Sequence, residues 1–152
     1  MIDCIFCRIV TGAAEASLIF EDQDVAAFLD IRPVRAGQVL VVPRTHIDHY
    51  WDLPEELATK VFRTGRQIAQ ILRRHESASR VGMIIHGFGV PHAHLIVLPL
   101  HHPWDITSSA NSYLEHGQVK FRWEQVPLAS RSELDRLAAA LKAEFERQVS
   151  DE

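Results

Sequence analysis

Residues 90–100, Val-Pro-His-Ala-His-Leu-Ile-Val-Leu-Pro-Leu, constrain this chain more than any other stretch. β-Branched and leucine residues follow one another without a series of helix formers, and Pro99 stands near the end, which predicts a β-strand. Alternate side chains of a strand share a face. His92, His94, Ile96, Leu98 and Leu100 then point one way, and Ala93, Leu95 and Val97 the other. Two imidazoles stand roughly 7 Å apart along the backbone on a face that is otherwise apolar. Chemistry is expected here.

The other elements follow from the same patterns. Residues 16–20 and 25–30 read as two short strands, with the Glu21-Asp22-Gln23-Asp24 cluster as their turn. Residues 38–43 are continuously apolar up to Pro43 and predict a central strand. A helix follows, with Asp52 as N-cap, Pro54 in its first turn and an apolar stripe through Leu57, Val61, Ile68 and Leu72 that ends near Arg73-Arg74. Gly65 weakens its middle by about 1 kcal/mol relative to alanine. Residues 81–86 predict a strand leading through Gly87 and Gly89 into the histidine strand. Residues 101–118 read as irregular and residues 119–123 as a short strand. A last helix is capped by Ser130 or Ser132 and carries Leu134, Leu137, Ala138, Leu141, Phe145 and Val149. The order of elements predicts an α+β fold with a mostly antiparallel sheet, in a single domain over residues 1–152.

Composition narrows the function. A formal charge of −4 argues against broad electrostatic binding of nucleic acid or an anionic membrane, while leaving room for a local phosphate pocket. The start of the chain lacks a signal-peptide pattern, and no apolar run reaches about 18 residues, so a cytoplasmic protein without a membrane span is expected.

Several residues carry candidate chemistry. An imidazole whose second nitrogen is held by a partner acts as general base, nucleophile or metal ligand, so His92 and His94 are either reactive or simply buried and hydrogen-bonded. Cys4 and Cys7 supply two zinc ligands of the four a closed structural site needs; the other readings are a reduced pair without a role or a labile disulfide. Asp30, at the end of an apolar strand, either accepts ribose hydroxyls or caps its loop. Gly87 and Gly89 allow close approach of a ligand or form a tight bend. His101, His102 and Trp104 form either a lip over a pocket or a solvated loop. Arg32, Arg35 and Arg44 attract phosphate or are ordinary surface arginines.

Together these segments resemble the histidine triad (HIT) superfamily, in its bacterial Hint-like branch with an N-terminal Cys-x-x-Cys. The resemblance is carried by Cys4-Ile5-Phe6-Cys7-Arg8-Ile9-Val10, Phe20-Glu21-Asp22, Ala27-Phe28-Leu29-Asp30-Ile31-Arg32-Pro33 and residues 37–47. Residues 90–99 complete it, and the matched stretch runs over about residues 1–100. The loop and helix over 101–152 match poorly. The resemblance implies a HIT-like α+β fold, with about five antiparallel strands, a long central helix and a C-terminal helix. It implies a homodimer acting on a purine nucleotide or nucleotide conjugate. His94 takes the place of the nucleophile that attacks the α-phosphorus to give a nucleotidyl-histidine intermediate, and His92 the place of the supporting histidine. Asp30 matches the ribose-binding carboxylate, and Ile19, Phe20, Phe28 and Ile31 match base- and sugar-lining positions. In members with the Cys-x-x-Cys opening, zinc is held by positions that here are Cys4, Cys7, His46 and His92.

Two positions depart from the pattern. The third triad histidine is replaced by Ile96, which neither donates nor accepts a hydrogen bond, and the polar run before the triad is here Gly87-Phe88-Gly89-Val90. A bond to a charged group contributes about 1.5–3 kcal/mol, or one to two decades in rate if it is made in the transition state. Three readings therefore stand: a nucleotide hydrolase or transferase working through His94, a non-catalytic nucleotide-binding or interaction protein that keeps the fold, and a structural zinc protein.

Overall fold

A computed structural model describes residues 4–106 and 112–150. Its elements run α1 (Ile5–Val10), β1 (Leu18–Glu21), β2 (Val25–Leu29), β3 (Val39–Pro43), a 3₁₀ turn (Tyr50–Asp52), α2 (Glu55–His75), β4 (Arg80–Ile84), β5 (Leu95–Leu100), β6 (Ser112–Glu115), β7 (Gln118–Phe121) and α3 (Arg131–Ser150). The first five strands form an antiparallel sheet in the order β1-β2-β3-β5-β4. This is the α+β architecture expected from the sequence.

The alternation along each strand builds two cores, one on each face of the sheet. Val25, Ala27, Leu29, Val39, Val41, Leu95 and Val97 face α2 and α3, where they meet Val61, Ile68, Leu72, Leu141 and Phe145. Ala26, Phe28, Leu40, Val42, Ile96 and Leu98 face the other way and are covered by Phe6 and Val10 of α1. Each fully buried leucine or valine contributes about 1.5–3 kcal/mol, so the doubly covered strands β2, β3 and β5 anchor everything else.

The structure departs from the sequence reading in several places, among them β1, which begins at Leu18 rather than at residue 16, and β4, which ends at Ile84 rather than at residue 86. β5 begins at Leu95, not at residue 90. Pro91 has no N–H for a ladder, and the His92 and Ala93 amides donate instead to the carbonyls of Val90 (2.8 Å) and Ile47 (2.7 Å). Asp52 closes the 3₁₀ turn, and Pro54 takes the N-cap position of α2. The stretch expected to be irregular contains β6, which pairs with β7 as a hairpin. Its turn residues His116 (φ 51°) and Gly117 (φ 77°) both lie in the left-handed region, as a two-residue hairpin loop requires. Of the two caps expected for α3, Ser130 is the one used, its Oγ accepting from the Glu133 amide at 3.3 Å. The readings over residues 1–3 and 107–111 lie outside the described residues.

Gly65 has a packing reason that its helix position conceals. A Cβ there would stand 2.5 Å from Leu95 Cδ2 and 3.5 Å from Val97 Cγ2. The glycine lets α2 settle directly on the strand that follows the two histidines. Helix propensity alone predicts that Gly65→Ala stabilises by about 1 kcal/mol, whereas overpacking of a close-packed core costs about 1–3 kcal/mol. A net loss of about 1 kcal/mol is expected in urea unfolding, and a gain would show that α2 is not seated that closely.

Candidate functional site

The N-terminus of α1 and two separate loops converge on one cluster. Cys4 is the N-cap residue of α1 and Cys7 lies in its first turn. His46 follows β3 and His92 precedes β5. Their ligand atoms all lie within 4.8 Å of one another, and both cysteines are free thiols. Cys4 Sγ is 3.4 Å from His92 Nδ1. Cys7 Sγ is 3.5 Å from the same nitrogen and 3.2 Å from His46 Nδ1. The two Nδ1 atoms are 3.3 Å apart. With metal–sulfur and metal–nitrogen bonds of about 2.3 and 2.05 Å, a tetrahedral zinc site has sulfur–nitrogen edges of about 3.6 Å and nitrogen–nitrogen edges of about 3.3 Å. The donor set and its spacing both fit such an ion.

Protonation favours the same arrangement. His92 Nε2 lies 2.8 Å from the Pro43 carbonyl oxygen; the carbonyl only accepts, so Nε2 carries the proton and Nδ1 presents its lone pair to the cluster. Burial pushes His92 below the usual histidine range; the Pro43 bond opposes this, and the neighbouring His46 and His94 add to it. Its imidazole is therefore neutral at neutral pH. Burial and the neighbouring Cys4 raise the Cys7 thiol, so a bound cation is what would favour its thiolate.

His94 stands beside this cluster and outside it. Its Nδ1 donates to the His92 carbonyl oxygen at 2.7 Å, which leaves the lone pair on Nε2. The side chain is buried, with the Phe6 ring edge-on at 5.4 Å. Phe6 also meets His92 at 5.8 Å and Phe28 at 5.5 Å. The result is a directional ring nitrogen set against an aromatic wall, an arrangement suited to nucleophilic attack or proton abstraction. Ile96, next on the same face, packs in the α1-side core.

The other positions singled out from sequence fall in different places. Phe28 lines the α1 side with Phe6, and Ile31 is exposed. Ile19 and Phe20 are not brought to the histidines, because both belong to the core on the α2/α3 side, where the Phe20 ring lies 4.6 Å from that of Phe145. Ile19 takes that face by alternation with Leu18, and a bulge between Leu18 and Phe20 turns Phe20 to the same side. Asp30 caps its own loop. One carboxylate oxygen accepts from the Arg32 amide (2.8 Å) and the other from the Gln38 amide nitrogen Nε2 (2.7 Å), leaving each a second lone pair.

The arginines are engaged in holding loops together. Arg32 donates to the Glu124 and Val126 carbonyls. Arg44 pairs with Glu21 and the Val10 carbonyl. Arg35 meets buried Asp105 at 2.8 Å. That guanidinium, with the amides of His101 and His102, holds the Asp105 carboxyl far below the usual carboxylate range. The ion pair ties the loop after β5 to the β2–β3 loop, with His102 stacked on the exposed Trp104 at 5.2 Å. Gly87 (φ 72°) makes a tight bend that favours glycine.

Two residues near His94 escaped the sequence reading. Phe6 shares the i, i+4 face of α1 with Val10, a signal too short to read in a six-residue helix. His86 lies with its ring centroid 6.2 Å from that of His94. Only the pairing of β4 with β5 brings it there.

The HIT domain family matches residues 11–103. The chain is 41% identical over 71 residues to Protein hit of Bacillus subtilis, covering 47% of this chain and 49% of that one; it thus spans about half the length of that relative. It is 29% identical over 98 residues to the adenosine 5'-monophosphoramidase HNT1 of Saccharomyces cerevisiae, covering 63% and 61% of the two chains. A solved zinc-bound histidine triad family protein from Mycobacterium smegmatis is 27% identical, with a TM-score of 0.73 over 99% of this chain and 98% of that one. Sequence match and fold agree: this chain belongs to the HIT family.

Proposed function

We propose that this protein is a nucleotidyl hydrolase or transferase that attacks the α-phosphorus of a purine nucleotide conjugate, a phosphoramidate or dinucleoside polyphosphate, through His94. The observation that carries the reading is the tautomer of His94: its Nδ1–H is spent on the His92 carbonyl, and Nε2 keeps the attacking lone pair. The phosphoramidase name of the yeast relative supports the substrate class. In the first step Nε2 forms a phosphorus–nitrogen bond, and the leaving group departs with the electron pair of its bond to phosphorus and takes a proton from solvent, which the attacking water returns in the second step. In the second, water or another acceptor adds to phosphorus, and the bond to His94 breaks and restores its lone pair. Phe6, Phe28 and Ile31 line the nucleotide side, and Asp30 offers its remaining lone pairs to ribose hydroxyls.

Cys4, Cys7, His46 and His92 would hold zinc, as the Hint-like opening implies and the zinc-bound mycobacterial neighbour supports. The ion would act as a clamp between α1 and the sheet, and the reaction does not pass through it. We further take residues 1–152 as a single domain of a homodimeric cytoplasmic protein that binds neither nucleic acid nor membrane. Among the described residues no helix is long and apolar enough to cross a membrane.

A second reading, nucleotide binding without turnover, is favoured by Ile96 at the third triad position. Its apolar side chain packs between Leu40 and Ile84, its partners on β3 and β4, and supplies no donor to a phosphate oxygen.

Three outcomes are expected. Intact-mass spectrometry with a slow AMP phosphoramidate detects an AMP adduct in the wild type and none in His94→Ala; a wild type that forms no adduct and turns over no such substrate rejects the catalytic reading. Introducing Ile96→His raises kcat by about one to two decades if the missing donor limits the rate; an unchanged kcat means that it does not. Protein purified without added metal contains stoichiometric zinc, and Cys4→Ala/Cys7→Ala loses it together with several kcal/mol of stability. Metal-free wild-type protein of equal stability would rule out the clamp.

A further inference from the structure

The ladder between β4 and β5 pairs Arg80 with Leu100, Gly82 with Leu98 and Ile84 with Ile96. Continued by two positions in the same register, it sets His86 opposite His94. The faces agree with that continuation: Ile84 and Ile96 share the α1-side core, while Ile85 and Leu95 share the core on the α2 side. The imidazoles of His86 and His94 meet edge to face, 6.2 Å between centroids and 80° between planes. The second histidine beside the nucleophile therefore comes from across the sheet, at the level next to Ile96.

Its protonation complements that of His94. The Phe88 amide donates to His86 Nδ1 at 3.4 Å, so in the neutral ring Nε2 carries the hydrogen. His86 is an exposed residue, yet partial desolvation, then the neighbouring His94, keeps it below the usual histidine range, so the neutral ring dominates at neutral pH. Phe88 stacks on it at 6.3 Å and 24° while its own side chain is 95% exposed, which confines the ring on one side. One imidazole thus offers a lone pair and its cross-strand neighbour an N–H.

We propose that His86 binds the α-phosphate, its Nε2–H donating to a non-bridging oxygen of the phosphoryl group that His94 attacks. It supplies from the neighbouring strand the donor that Ile96 cannot provide. The inference rests on the nucleotide reading above and deepens it. No bond to His86 forms or breaks, and its proton stays in place through the reaction.

AMP binding by calorimetry tests it without depending on turnover, with wild type, His86→Ala, His86→Gln and His94→Ala compared at neutral pH. His86→Ala is expected to weaken AMP about tenfold or more, and His86→Gln, whose amide still donates, to recover most of that loss. Where turnover is measurable, the same order is expected in kcat, with a smaller change in KM. AMP affinity in His86→Ala equal to wild type overturns the proposal, and so does a His86→Gln protein as weak as His86→Ala while both melt like wild type. A wild type that binds no AMP defeats the nucleotide reading itself. An AMP adduct missing from His94→Ala, with affinity still dependent on His86, supports both.

Discussion

Almost everything at this site hangs on how one buried histidine is held. The Pro43 carbonyl takes the His92 Nε2 proton, which aims the Nδ1 lone pair at Cys4, Cys7 and His46. The backbone carbonyl of the same residue takes the Nδ1 proton of His94, which decides where the lone pair of that ring lies. A single residue therefore orients the cysteine–histidine cluster on one side and the His94 ring on the other. Both bonds are buried, and leaving either unmade would strand a desolvated polar group at about 1–3 kcal/mol. The arrangement is correspondingly rigid.

That rigidity depends on the sheet beneath it. β3 delivers Pro43 and then His46, β5 continues from His94, and the two strands are directly paired. α2 is pressed onto β5 at Gly65, and α1 covers the opposite face with Phe6. Only six residues long, α1 is far below the length at which a helix is stable in water by itself. Its place comes from Phe6 and Val10 packing and from the cysteine–histidine cluster, so that cluster and the aromatic wall of the site are one structural unit.

Ile96 changes how polar groups are distributed around His94. With isoleucine between Leu40 and Ile84, the α1-side core extends close to His94. A further imidazole lies across the β4–β5 register at His86. The basic loops do not supply an alternative: Arg32, Arg35 and Arg44 are engaged with carbonyls and carboxylates of neighbouring segments. The Arg35–Asp105 pair instead fastens the loop after β5.

By itself, the sequence determined the period-two strands, the long amphipathic helix and the split of apolar residues between two faces, because these are local patterns repeated every two or three to four residues. It also marked Cys4, Cys7, His46 and His92 as a ligand set through a family resemblance, though they lie as far as 88 positions apart. Only the tertiary structure decided the rest. The bulge in β1 moved Phe20 to the same face as Ile19, a one-residue slip that alternation cannot foresee. Pro91 and two local amide bonds delayed the start of β5. The hairpin register brought His86 to His94, and helix packing brought Phe6 to His92 and His94. Each of these depends on backbone hydrogen bonds between distant segments, and such bonds carry no side-chain signature in the chain that makes them.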